Sequence, residues 1–163
     1  MDAKPISASR TVLNSLVLPP DTNQYENIFG GRVLAYIDEV AAIAAMRHCQ
    51  KSVVTASIDS VDFLNPVKRG YAIRVEAFVT WTGRSSMEIF AQVSSENLLS
   101  GKKQLTATSF LTMVAIDEEG RTIPVPPVIP ETEFEKELHR TAPQRQLQRN
   151  KRKSNDYSKL IQL

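Results

Sequence analysis

An α+β fold, one long helix wrapped by an antiparallel sheet, is predicted by three features of the sequence. Apolar residues recur at helical spacing over one long stretch, residues 31–48. Period-two alternation then repeats along the chain, with glycines between the repeats. No second long helical pattern interrupts those repeats.

Residues 10–18 alternate loosely and stop at Pro19-Pro20, as a first strand does. Residues 21–27 are polar and read as a loop. From Gly31 to His48, the positions Val33, Tyr36, Ile37, Val40, Ala41, Ala44 and Ala45 follow the i, i+3, i+4 rule. This predicts a mostly buried helix whose alanines let a sheet approach closely. Residues 53–63 are rich in β-branched side chains but change phase near Asp59, which predicts a bulge or bend.

In the next stretch Ile73, Val75, Ala77, Val79 and Trp81 take every second position. Met87, Ile89, Ala91 and Val93 repeat the pattern, and so do Leu105, Ala107, Leu111 and Met113. Divided by Gly70, Gly83 and Gly101, these stretches predict a meander with one covered face. The prolines of residues 124–130 end the sheet. Thr132 and Glu135 have capping-box spacing, predicting a short helix over 133–140 that Pro143 stops. The expected organisation is one domain over residues 1–130, then a short helix and a basic, partly disordered tail over 131–163.

Composition narrows the function classes. A content of 42% hydrophobic and 23% charged residues is that of an ordinary globular protein. No apolar run approaches the roughly 20 residues of a membrane span. The start Met1-Asp2-Ala3-Lys4-Pro5 has no apolar signal-peptide core. Cys49 is the only cysteine, so no intramolecular disulfide forms and a reducing, cytoplasmic setting is expected. A net charge of +2 is no argument for nucleic acid. The basic run of residues 139–153 has two readings: a solvated terminus, or a patch for RNA, membrane or phosphate.

Familiar catalytic machinery is poorly supported. His48 and Cys49 are helix neighbours that point apart, no G-x-S-x-G elbow occurs, and no His/Cys/Asp cluster has metal-ligand spacing. What remains is Gly30-Gly31 at the helix start, with Asp38 one and a half to two turns further on. Helix N-termini carry unpaired N–H groups and partial positive charge, so glycines there can form an oxyanion site, or can simply permit tight packing. Asp38 adjoins the apolar stripe, whereas Glu39 is better placed for solvent. The turn Thr82-Gly83-Arg84-Ser85-Ser86 has the residue types that hold a phosphate.

Residues 23–31, reading Asn23-Gln24-Tyr25-Glu26-Asn27-Ile28-Phe29-Gly30-Gly31, and Tyr36-Ile37-Asp38-Glu39-Val40-Ala41 resemble the opening of hotdog-fold acyl-CoA thioesterases. The resemblance continues through Val54-Thr55-Ala56-Ser57, Asp62-Phe63-Leu64-Asn65-Pro66-Val67, Gly83-Arg84-Ser85-Ser86-Met87-Glu88 and Ile123-Pro124-Val125-Pro126. It implies a hotdog fold and hydrolysis of acyl-CoA to CoA and a carboxylic acid. Asp38 is implied as the catalytic carboxylate, with Asn23 as catalytic asparagine. Thr55 is implied as the accompanying threonine, Ser57 being the alternative.

A backbone N–H at Gly30 or Gly31 is implied to polarise the thioester carbonyl, and Gly83, Arg84, Ser85 and Ser86 to lie near CoA. No metal or redox cofactor is implied. The assembly implied is a dimer that combines Asn23 of one subunit with Asp38 of the other, and a trimer of such dimers. One departure is Glu26, which stands where the family often has glycine, so the loop is expected to bend elsewhere, at Asn27. A non-catalytic acyl-CoA or nucleotide sensor is the alternative function. A hotdog dehydratase would want a histidine in the active region.

Overall fold

The computed structural model describes residues 1–155 and 157–161. Residues 156, 162 and 163 of the expected tail lie outside the described residues. The elements run β1 (Lys4–Pro5), β2 (Thr11–Leu16), α1 (Gly30–Cys49), β3 (Ser52–Phe63), β4 (Ala72–Thr82), β5 (Ser86–Glu96), β6 (Lys103–Ile116), β7 (Val128–Ile129) and α2 (Glu133–Ser154), with three short 3-10 turns.

Five strands form one antiparallel sheet in the order β2-β4-β5-β6-β3. β4, β5 and β6 are the expected meander. β2 and β3 precede and follow α1 but occupy opposite edges, so the helix crosses the whole sheet. Its stripe Val33, Ile37, Val40, Ala41, Ala44 and Ala45 is buried, together with Ile73, Val75, Ala77, Val79, Ile89, Ala91, Val93, Leu111 and Met113 of the facing strands. Small side chains on α1 bring its backbone close to the sheet, and the apolar surface removed from water holds the two layers together. One long helix packed on a five-stranded antiparallel sheet is the arrangement that the resemblance to hotdog-fold proteins implied.

β3 carries two irregularities against β6. Thr55 and Ser57 face consecutive residues Met113 and Thr112, and Ile58 and Ser60 face Leu111 and Phe110. Ala56 and Asp59 are therefore extra residues in the strand. The phase change near Asp59 is a bulge, as the pattern predicted, and Ala56 is a second. β3 is also the most exposed strand, with Val54 45% and Phe63 53% accessible on a free sheet edge.

The C-terminal helix differs from expectation. Thr132 caps it in the predicted box, accepting from the Glu135 N–H at 3.2 Å while Glu135 accepts from the Thr132 N–H at 3.0 Å. It does not stop near Arg140, however, but continues through Pro143 to Ser154. An internal proline removes one helix hydrogen bond and costs about 3 kcal/mol. Tertiary packing offsets that cost.

Leu138 and Ala142 are buried on the sheet face opposite α1, and the Phe134 ring meets Phe90 edge-on at 5.7 Å. Arg145 grips Glu88 through two bonds of 2.9 and 2.8 Å and donates to the Leu138 carbonyl at 2.5 Å. Arg149 donates to Thr112 at 2.6 Å, and Arg152 to Asp59 at 2.7 Å. Three arginines of the basic run thus hold acids and a hydroxyl on the sheet and do not form a solvated tail.

Candidate active site

α1 presents Asp38 on the flank of its buried stripe, where the carboxylate is half-buried and Glu39 is exposed. The hydroxyl of Thr55 on β3 donates to Asp38 Oδ1 at 2.7 Å and also lies 3.4 Å from the Met113 sulfur. Ser57, the alternative partner, instead donates to Asp59 at 2.6 Å. The bulge at Ala56 separates these two hydroxyls, so each serves its own carboxylate. Among the described residues no lysine, arginine or histidine pairs with Asp38. Its remaining lone pairs are open to other donors.

Asn23 is on the preceding loop and makes no hydrogen bond to Asp38 among the described residues. Its side-chain oxygen accepts from the N–H groups of Tyr25 at 3.0 Å and Asn27 at 3.2 Å, an Asx-type turn that fixes the side chain. Its amide NH2 has no partner among the described residues. The loop bends at Glu26, which takes φ of 60°, and the expected displacement of the bend to Asn27 does not occur. Glutamate in this left-handed region costs on the order of 1 kcal/mol. Arg69 offsets it, donating through its N–H to the Glu26 carbonyl at 2.9 Å and pairing with the carboxylate at 3.0 Å.

At the start of α1, Phe29 is the N-cap and supplies no side-chain acceptor. The Arg32 and Val33 N–H groups bond the Phe29 carbonyl at 3.0 and 3.1 Å. The N–H groups of Gly30 and Gly31 have no acceptor among the described residues. The two glycines differ. A Cβ at Gly30 would come within 3.3 Å of the Phe63 ring, so this one serves packing. Gly31 faces open space, with nothing within 4 Å of a Cβ. Beneath the helix start, a cleft of about 320 Å³ is bordered by Gly30, Val33, Phe63 and Thr106, among others. Phe63 and Thr106 escaped the sequence reading. The segment Asp62–Val67 carried a signal for the first, but nothing marked the second.

The Gly83–Ser86 turn joins β4 to β5 and is held by its backbone. The Gly83 N–H bonds Ser86 O at 2.8 Å, while Ser85 O and Arg84 O accept from the Ala115 and Val125 N–H groups. Arg84 is exposed, with no acidic partner among the described residues. Among the described residues no hydrogen bond or ion pair joins this turn to Asp38 or Asn23. His48 is buried with Nε2 2.8 Å from the Pro126 carbonyl, and burial pushes its pKa down. Burial pushes the Cys49 thiol up. Neither is poised as base or nucleophile. Among the described residues no three His, Cys, Asp or Glu side chains cluster as a metal site.

The family model of the thioesterase superfamily matches residues 25–101. An uncharacterized acyl-CoA thioester hydrolase of Bacillus subtilis is 51% identical over 145 residues, covering 89% of this chain and 84% of its own. The human cytosolic acyl coenzyme A thioester hydrolase is 37% identical over 88% of this chain, which spans only 38% of that larger protein. Among solved structures, an apo-hexameric acyl-CoA thioesterase superposes with a TM-score of 0.93 at 55% identity, covering 96% of this chain and all of its own. An acyl-CoA hydrolase from Staphylococcus aureus, solved with butyryl coenzyme A and coenzyme A, gives 0.91 at 44% identity over 97% and 96% of the two chains.

The Staphylococcus aureus enzyme has also been solved with an asparagine, an aspartate and a threonine each changed to alanine. In chain order these are separated by 15 and 17 residues, as Asn23, Asp38 and Thr55 are here. The chain belongs to the acyl-CoA thioester hydrolases of the hotdog-fold thioesterase superfamily.

Proposed function

We propose that the protein hydrolyses acyl-CoA thioesters to free CoA and a carboxylic acid, with Asp38 as general base. The observation that carries this reading is the half-buried Asp38 carboxylate, held by one hydroxyl at 2.7 Å and otherwise unpaired. Asp38 takes a proton from water as the water oxygen attacks the thioester carbon. The carbonyl oxygen gains charge and is met by the N–H groups at the start of α1, where one such donor typically contributes about 3–4 kcal/mol. The C–S bond then breaks, and the thiolate of CoA receives the proton from Asp38. Asn23 orients the water or the carbonyl through its free NH2.

Gly31 and Asp38 are seven residues apart on one helix, roughly 10 Å along its axis. One carbonyl cannot meet both. We therefore assign Asn23 and the Gly30-Gly31 N–H groups of one protomer to the same site as Asp38 of the partner subunit. The free, apolar edge of β3 supports a two-fold dimer in which two sheets join edge to edge. A trimer of such dimers follows the hexameric relative. The catalytic unit is residues 1–130, braced by α2, and its setting is cytoplasmic. Gly83, Arg84, Ser85 and Ser86 bind the CoA moiety.

The test is release of free thiol from acyl-CoAs ranging from acetyl to palmitoyl. Turnover of at least part of that range is expected with no added metal. Absence of turnover across the whole range contradicts the reading.

A further inference from the structure

We propose that a pocket beside the β5–β6 hairpin binds a phosphate monoester through Lys68 and Lys102, with Ser95, Tyr71 and Gln104 as further donors. The pocket, about 220 Å³, lies between that hairpin and the loop from β3 to β4. One water needs only about 10–15 Å³, so a phosphate and the start of its ester group fit. β5 runs 11 residues from the Gly83–Ser86 turn to this hairpin, roughly 35 Å at the rise of a strand. Within one protomer the pocket is therefore a second site, remote from that turn.

Local structure fixes each donor. Asn97 closes the hairpin: its side-chain oxygen accepts from the Leu99 and Ser100 N–H groups at 3.0 and 3.4 Å, and Gly101 turns the chain at φ of 72°. Lys102 follows directly. The Asn97 amide donates to the Tyr71 hydroxyl at 3.1 Å, which leaves the phenol proton free to donate elsewhere. The Lys68 carbonyl accepts from the Tyr71 N–H at 3.1 Å, which sets the opposite wall. Ser95 and Gln104 are paired across β5 and β6, so both side chains leave the same face of the sheet.

Ser95 is the observation that points to a ligand. It is 3% exposed, and its hydroxyl has no hydrogen-bond partner among the described residues. The Thr106 hydroxyl is unpartnered too, but it is fully enclosed, whereas Ser95 borders the pocket. Such a hydroxyl is disfavoured unless something in the pocket pairs with it. The two ammonium groups say what. Lys68 and Lys102 have no acidic partner among the described residues, and no acid lines the pocket. The neighbouring acids are engaged elsewhere, Glu96 with Lys103 at 3.9 Å and Glu26 with Arg69 at 3.0 Å. Two unpaired cations with neutral donors around them match a dianion, and phosphate accepts from lysine and hydroxyl alike.

The site does not rest on the thioesterase reading, because calorimetric titration with inorganic phosphate tests it without turnover. The wild type should bind phosphate saturably. Lys68→Ala, Lys102→Ala and Ser95→Ala should each weaken binding roughly 10-fold, the range of one hydrogen bond to a charged group. Lys103→Ala removes the same charge outside the pocket and should change little at about 0.15 M salt, where exposed charges are screened. Absence of saturable binding, an equal loss in Lys103→Ala, or a loss in Arg84→Ala with none in the lysine variants overturns the proposal. Two sources of the phosphate are then told apart by KM. If it belongs to the substrate, the Lys68→Ala/Lys102→Ala double variant raises KM for butyryl-CoA and not for butyryl-dephospho-CoA. If it belongs to a separate molecule, both values stay at those of the wild type.

Discussion

Two aspartates meet β3 from opposite faces of the sheet. Asp38 arrives from α1 and accepts a single hydroxyl, that of Thr55 at 2.7 Å. Asp59 occupies a bulge of the strand itself, under α2. It accepts from Ser57 and Thr112 at 2.6 Å each and from Arg152 at 2.7 Å, with Arg149 3.8 Å away. Burial would raise the pKa of Asp59, but these hydroxyls and guanidiniums together hold it below the ordinary carboxylate range. A carboxylate offers about four acceptor sites. Asp59 has filled its sites with structure; Asp38 keeps most of its own for a ligand. The contrast separates a carboxylate that fastens an element from one that is available for chemistry.

Replacing each aspartate in turn gives the largest expected effects, in different readouts. Asp38→Asn keeps the shape and loses the proton acceptor, so kcat should fall at least about 10²-fold with unfolding stability little changed. Near-normal turnover by a folded variant would dismiss Asp38 as the base. Asp59→Ala leaves Arg149 buried without its carboxylate, and denaturant unfolding should show a loss of about 3 kcal/mol.

The pH dependence follows from the direction of the Asp59 shift. Its folded pKa lies below the unfolded one, so its contribution to stability is complete above the ordinary carboxylate value of about 4. That contribution disappears as pH falls through the folded value. Melting temperature should thus drop on acidification below about pH 4–5, less steeply in Asp59→Ala than in the wild type. Against burial, which would raise both, Glu76 is held low by Arg74 and Arg10, and Glu135 by the Thr132 and Glu131 N–H groups and by Arg10; both keep part of the slope in the variant. Identical slopes would remove Asp59 from the account. Thr55→Val is the smaller perturbation. Losing one hydroxyl bond to the carboxylate should lower kcat roughly 10-fold, and an unchanged kcat would assign Thr55 to packing alone.

Much of this layout was written into local pattern. The helix stripe from Val33 to Ala45, the alternating residues of β4 to β6 and the break at Asp59 depend on near neighbours, and periodicity reports such features directly. The tail did not yield to that reading. Pro143 is a stop signal locally, yet Arg145, Arg149 and Arg152 find partners on β5, β6 and β3 that are remote in sequence. Tertiary pairing overrode propensity. Glu26 is similar, since its left-handed backbone is held by Arg69, far along the chain. In the candidate site, Asp38 stood out as a carboxylate on a buried helix. Thr106, at the cleft wall, did not, because it lies at a bulge of β6 that no residue type announces.

In the proposed dimer each site joins Asn23 of one protomer to Asp38 of the partner subunit, and mixed dimers test that pairing. Asn23→Ala and Asp38→Ala homodimers should each be nearly inactive. Co-refolded in equal amounts, about half of the dimers are mixed, and each mixed dimer holds one intact site by two-fold symmetry. Thiol release should then recover to roughly a quarter of the wild-type rate. If verified mixed dimers stay as inactive as their parents, the two residues serve one protomer and the shared site is wrong.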